Sequence, residues 1–316
     1  MELVSSNEAA IIAFFFSVIF TCGSFSNGLI IWTYVRYKNI LTIQPRDILI
    51  LSLAIGDFVQ VVFACPLGLT SAIARKWMWG DFGCSWYGFI TTWVSLSSII
   101  QLATFAMERY VTLRSPMANL ITNWRAVQLT IVCWLITLLV SSFPLFGWST
   151  YIKEGLGLHC SINWEEKSTG NLTFSLFLLI MFFLAPISVI LIANLQLYII
   201  VHHMYANASD MWGPEARATK QSYVAQVRTA KQLFAMIVAF LVSWTPYAFM
   251  SCYILIFEGT NISLGNREYP SIFAKTSVLL NPITYYFMYK ALRQKAKSVL
   301  MCRTTNSVAQ ISSSQV

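Results

Sequence analysis

The chain has 316 residues, 57% of them hydrophobic and only 11% charged, with a mean hydropathy of +0.62 and a formal net charge of +8. A soluble domain carries about 25% charged residues, so this balance excludes an ordinary soluble enzyme and fits a polytopic membrane protein. The positive charge reads as topology and contact with anionic membrane lipid, not as nucleic-acid binding.

A membrane-spanning helix needs about 20 mostly apolar residues. Seven such windows occur, at roughly 9–34, 46–73, 83–113, 126–148, 172–203, 229–257 and 269–288. The expected fold is therefore an all-α membrane protein, a seven-transmembrane helix bundle. The first apolar run, from Ala9, is too long for a cleavable signal peptide and lacks a basic leader. With the N-terminus outside, fifteen of the 21 Lys and Arg residues fall in cytoplasmic loops and tail. Five (Arg75, Lys76, Lys153, Lys167 and Arg267) fall in outer loops, which satisfies the positive-inside bias. Lys275 is left over, inside a span.

Span one carries Asn27 in "GSFSNGLII", and span two carries an intramembrane acid, Asp57. Span three runs from Cys84 to Glu108, a separation of 24 residues or about 36 Å of helix. Cys84 thus marks its outer end, and Glu108-Arg109-Tyr110 forms an acid–base pair at the cytoplasmic mouth. Span four contains Trp134. Cys160 lies in the loop beyond it and faces the same oxidising compartment as Cys84, which allows a disulfide between them. Cys22, Cys65, Cys133 and Cys252 lie within spans as buried thiols. In the outer loops, Asn171-Leu-Thr173 and Asn261-Ile-Ser263 match the glycosylation pattern.

Span five contains Pro186, and span six "WTPY", Trp244 to Tyr247, with a proline bend beside a large aromatic. Span seven holds "FAKTS", with Lys275, and then Asn281-Pro282-x-x-Tyr285. Proline frees backbone carbonyls, and a neighbouring Asn amide can satisfy them, giving a bent helix with a polar seam. An ammonium at membrane depth costs about 2.5–3.5 kcal/mol on insertion scales, so Lys275 needs a partner or a task. A salt bridge to Asp57 is open, because helix rise puts the two only roughly 5–8 Å apart in depth. After span seven, residues 289–300 pattern as a basic amphipathic helix on an anionic leaflet. Cys302 follows it as a palmitoylation candidate or a plain cytosolic thiol. Residues 1–300 form one receptor domain, and 301–316 a short polar tail expected to be disordered.

In this order the motifs resemble a rhodopsin-type G-protein-coupled receptor over essentially residues 10–300. The combination of "FAKTS", N-P-x-x-Y and "WTPY" resembles an animal opsin, of an invertebrate or non-visual branch. That resemblance implies retinal, 11-cis in the dark, held by Lys275 as a protonated Schiff base, and a disulfide between Cys84 and Cys160. At the span-three position where vertebrate visual opsins place a glutamate, this chain has Tyr87, which is neutral at pH 7. Glu154, six residues before Cys160, matches the second position that opsins use and is the expected counter-ion. Chloride and Asp57 through water are the alternatives. The pocket implied is Tyr87, Ser95, Phe240, Trp244, Tyr247 and Ser271. No metal is implied.

The resemblance further implies a receptor and not an enzyme, in the plasma membrane of a photoreceptor-type cell. Glu108-Arg109-Tyr110 and Asn281-Pro282-x-x-Tyr285 would couple it to a heterotrimeric G protein. The hydroxyls of the tail would take a receptor kinase and arrestin. Asn194 and Gln226 depart from common patterns at the inner ends of spans five and six. A retinal photoisomerase with little signalling is the rival reading.

Overall fold

The computed structural model describes residues 3–37, 44–115, 120–213, 216–257, 262–288 and 290–301. Cys302, the polar tail and Asn261 lie outside them. Helix α1 (Ser6–Tyr37) is followed by α2 (Pro45–Phe63) and α3 (Cys65–Ala74), which share the second span. Then come α4 (Gly80–Arg114) and α5 (Asn123–Ser142), a two-stranded hairpin of β1 (Tyr151–Glu154) and β2 (His159–Ile162), and α6 (Thr169–Leu178). A π-helical turn, Leu179–Leu184, joins α6 to α7 (Ala185–Trp212), and α8 (Arg217–Phe257) completes span six.

Among the described residues six helical stretches are long and apolar enough to cross a bilayer. The seventh span is broken into α9 (Leu264–Lys275) and α10 (Ser277–Met288), each too short to cross alone. The amphipathic helix α11 (Lys290–Leu300) follows, with Leu292 and Ala296 buried against the bundle. The helices are apolar on both faces, as lipid requires. On α1, Ile12, Phe16 and Ile19 are buried while Phe14, Phe25 and Trp32 face outward.

The irregularities sit at prolines. Pro66 starts α3 after a bend at Ala64, and Pro186 ends the π-helical turn. Pro282 removes the donor for the carbonyl of Val278, and Asn27 Nδ2 on α1 donates to that oxygen at 3.0 Å. The amide that satisfies the broken helix therefore comes from across the bundle. The adjacent Asn281 instead donates to Asp57 Oδ2, at 3.0 Å.

Helix α4 is central, touching α2, α5, α7 and the hairpin. The hairpin pairs Tyr151 with Ile162 and Glu154 with His159, and the Cys84–Cys160 disulfide ties it to the N-terminal end of α4. Tyr151 lies on Gly88 and donates its hydroxyl to Ser141 O at 2.7 Å. The glycosylation reading of Asn171 does not fit. Its side chain is buried and donates to Glu166 and Ser168, so it is sequestered for structure.

A Cβ at Gly88 would stand 2.4 Å from the Tyr151 ring, which must move. Gly88→Ala is expected to cost about 1–3 kcal/mol by overpacking, read as a lower melting temperature in detergent. An unchanged melting temperature contradicts this packing.

Candidate functional site

Ser271 and Lys275 are one turn apart on α9 and point into the bundle, so the serine can accept hydrogen bonds from the amine. Lys275 Nζ donates to Ser271 Oγ at 2.8 Å and to the Ser271 carbonyl at 3.3 Å. Ser271 Oγ in turn donates to Glu154 Oε2 at 2.8 Å. Lys275 and Glu154 are thus joined through one hydroxyl. Asp57 is engaged elsewhere, with Asn281, and the direct Lys275–Asp57 bridge is not formed.

His159 lies opposite Glu154 in the hairpin register. Its Nε2 is 2.9 Å from Ser271 Oγ and 3.3 Å from Glu154 Oε2. Its Nδ1 stands 2.9 Å from Glu268 Oε1, on the turn of α9 before Ser271. That contact lacks linear hydrogen-bond alignment, and the two atoms have no other partner among the described residues. Glu268 is fully buried, and its Oε2 accepts the Leu156 N–H at 3.0 Å. Gly155, at φ +53°, allows this approach, since a Cβ there would lie 2.6 Å from the same oxygen. Tyr87 and Phe16 close on the imidazole edge-on, with ring centroids 6.0 and 6.2 Å away.

Burial alone would raise the Glu154 carboxyl, but the hydrogen bond and charge of His159, with Lys275 and Ser271, hold it below the usual carboxylate range. Burial would likewise discharge His159, and the carboxylates of Glu268 and Glu154 outweigh it, so the ring titrates above its ordinary value.

Lys275 and Ser271 form part of the wall of a largely apolar cavity between the spans. Ser95, Trp244 and Tyr247 line it too, with Leu178 and Phe182 from span five. Trp164, after the hairpin, donates its indole N–H to the Tyr247 hydroxyl at 2.9 Å. Tyr87 and Phe240 sit just behind the wall. Tyr87 is fully buried, with its ring centroid 6.0 Å from Lys275 Nζ and its hydroxyl unpartnered among the described residues. Phe240 stacks behind Trp244 at 6.3 Å.

At the end of α4 away from the disulfide, Arg109 forms a two-pronged ion pair with Glu108, which also accepts from Thr112 at 3.1 Å. Tyr110 packs against the core and Tyr285 is fully buried in it. Asn194 donates back to the Ile190 carbonyl of its own helix at 2.7 Å, and the Gln226 side chain lies outside the described residues. Sequence reasoning passed over His159 and Glu268. The signal was faint: a histidine beside the disulfide cysteine, and a glutamate seven residues, or two turns, before Lys275.

A family model described as 7 transmembrane receptor (rhodopsin family) matches residues 26–285. The chain belongs to that family. It is 27% identical to Melanopsin-B of Xenopus laevis over 91% of its own length and 54% of that protein's. It is 28% identical to Pinopsin of Gallus gallus over 92% and 80% of the two chains. The crystal structure of squid rhodopsin superposes with a TM-score of 0.85 at 26% identity, covering 98% of this chain and 91% of that one. The chain is an animal opsin. It spans about half the length of the Xenopus and Gadus morhua Melanopsin-B chains that it matches.

In this opsin the Glu154 and His159 shifts have opposite signs. The lowered carboxyl stabilises the fold above its ordinary value of 4.5, a contribution lost as pH falls through the native value. The raised imidazole stabilises it fully below 6.5, a contribution lost as pH rises through the native value. Both are present between those two values. The thermal-stability advantage of wild type over His159→Asn is expected to be largest near pH 5.5 and to shrink toward alkaline pH. An advantage that grows with pH contradicts the charged ring.

Proposed function

We propose that the opsin holds retinal covalently at Lys275 as a protonated Schiff base, 11-cis in the dark, and activates a heterotrimeric G protein after illumination. The observation that carries this reading is a buried primary amine in the wall of a largely apolar, aromatic-lined cavity, with a carboxylate one hydroxyl away. Retinal supplies the polyene that absorbs light and changes shape on isomerisation.

The residues present fit that group. Trp244, Tyr247 and Phe182 offer rings to clamp a polyene and exclude water. Tyr87 contributes an unpartnered hydroxyl close to the amine but no charge, so the anion is left to Glu154. Ser271 positions Glu154 toward Lys275. The rivals to Glu154 are a bound chloride and Asp57 through water, and the hydrogen bond from Asn281 to Asp57 speaks against the latter.

Switching resides in the bent spans. Pro246 in α8 and Pro282 in α10 provide places where a change of ligand shape favours an opened inner face. The Asn27, Asp57 and Asn281 contacts tie spans one, two and seven. Arg109, latched by Glu108, would be released to a G-protein segment. A receptor kinase and arrestin would act on the tail, 301–316, and Cys302 would carry a palmitoyl anchor. The N-terminus is outside and the protein sits in the plasma membrane of a photoreceptor-type cell. A photoisomerase remains the second reading, and the Arg109–Glu108 latch favours signalling over it.

Protein mixed with 11-cis retinal is expected to gain a visible band and, on illumination, to accelerate nucleotide exchange on a G protein. Lys275→Ala is expected to stay colourless. A pigment that forms and isomerises without driving exchange selects the photoisomerase, and no pigment at all removes both. Because the described latch is confined to neighbours on α4, the retinal-free opsin is expected to raise exchange above that of the G protein alone. Exchange equal to the G protein alone contradicts a weak latch.

A further inference from the structure

The counter-ion role given to Glu154 leaves a second buried carboxylate, Glu268, and a histidine between them with no task. Ser271 Oγ has one proton and two lone pairs. The proton goes to Glu154, and Lys275 takes one lone pair, so the contact with His159 Nε2 uses the other. Nε2 must then carry hydrogen. Nδ1 faces the carboxylate of Glu268 at 2.9 Å, which calls for hydrogen there as well. Both ring nitrogens protonated is an imidazolium.

The buried charges then sum to zero: Lys275 and His159 positive, Glu154 and Glu268 negative. An excess buried charge is far costlier than a proton exchanged with solvent. Other ionisable side chains around the cluster are Tyr87 from α4, Cys65 from α3, Tyr247 from α8 and, near Gly265, Glu8 from α1. The adjoining Arg267 is paired with Glu165.

We propose that Glu268, acting through His159, is a second anion for the positive charge at Lys275, and that His159 releases its proton whenever either carboxylate is neutralised. With Glu154 neutral, loss of the His159 proton leaves Glu268 uncompensated and able to offset Lys275. With Glu268 neutral, the same release leaves Glu154. The proton leaves the imidazole and not the lysine because Nζ donates to both the Ser271 hydroxyl and its carbonyl, whereas the Nδ1 contact with Glu268 lacks hydrogen-bond alignment. The counter-ion is thus duplicated, with His159 as the buffer. Glu268 is a positioning and charge-setting residue and contacts no ligand itself.

The first arm needs no retinal. Nitrogen-15 spectra of ring-labelled, retinal-free opsin resolve His159 readily, since the chain has 3 histidines and His202 and His203 can be substituted. At pH 7 the wild-type ring is expected to give two N–H nitrogens, and Glu154→Gln and Glu268→Gln each one N–H and one bare nitrogen. A neutral wild-type ring, or an imidazolium that persists in Glu268→Gln, overturns the proposal.

The second arm rests on retinal attachment at Lys275. Each single variant is expected to keep a visible band at pH 7, and Glu154→Gln/Glu268→Gln to absorb only in the ultraviolet. A double variant that stays visible overturns the proposal. Should the double variant not fold, the first arm decides alone. If wild type forms no pigment, the retinal reading fails while the imidazolium result stands.

Discussion

A cation held inside a membrane span is the constraint around which the outer half of this protein is built. Lys275 is 8% exposed at the end of α9, in the broken seventh span. Its charge is answered from outside the spans, by a hairpin folded down onto the bundle. The disulfide to Cys84 and the bare Cα of Gly88 let that hairpin lie close on α4, and Gly155 lets its turn meet α9. Glu154 and His159 arrive at Ser271 only because the strands pair in that register.

The inner half answers a different demand. Prolines in spans two, five, six and seven interrupt hydrogen-bond ladders that lipid cannot repair, and in span seven a side chain from another span repairs the gap. There Asn27 completes the Val278 carbonyl. Such repairs make the bent helices depend on their neighbours, so an arrangement with two states is easier to build from them than from straight helices. The charge cluster at Lys275 and the Asn281–Asp57 contact lie on one broken helix, α9 followed by α10. A change at its outer half therefore has a short covalent route to its inner half.

Much of this was legible in the sequence. Seven apolar windows, the asymmetry of Lys and Arg, and the motifs around Arg109, Pro246 and Pro282 set out the bundle. Glu154 could be picked only through the resemblance to opsins, whose second position its spacing from Cys160 matches, and its carboxylate accepts from the Ser271 hydroxyl beside Lys275. Depth along helices could not separate Asp57 from Lys275, because rise gives height and says nothing about which side chains face each other. His159 and Glu268 escaped notice because their meeting depends on a tertiary contact between a loop and a helix more than one hundred residues apart. Asn171 matched a surface motif while its amide was needed inside, a case where a tripeptide carries no information on burial.

The central claim is a covalent bond at one amine. Borohydride reduction of dark protein preincubated with 11-cis retinal, followed by peptide mass mapping, tests it directly. The account predicts a single stable adduct, on the peptide that contains Lys275 and absent without the aldehyde. An adduct spread over surface lysines, or none on that peptide, would contradict it.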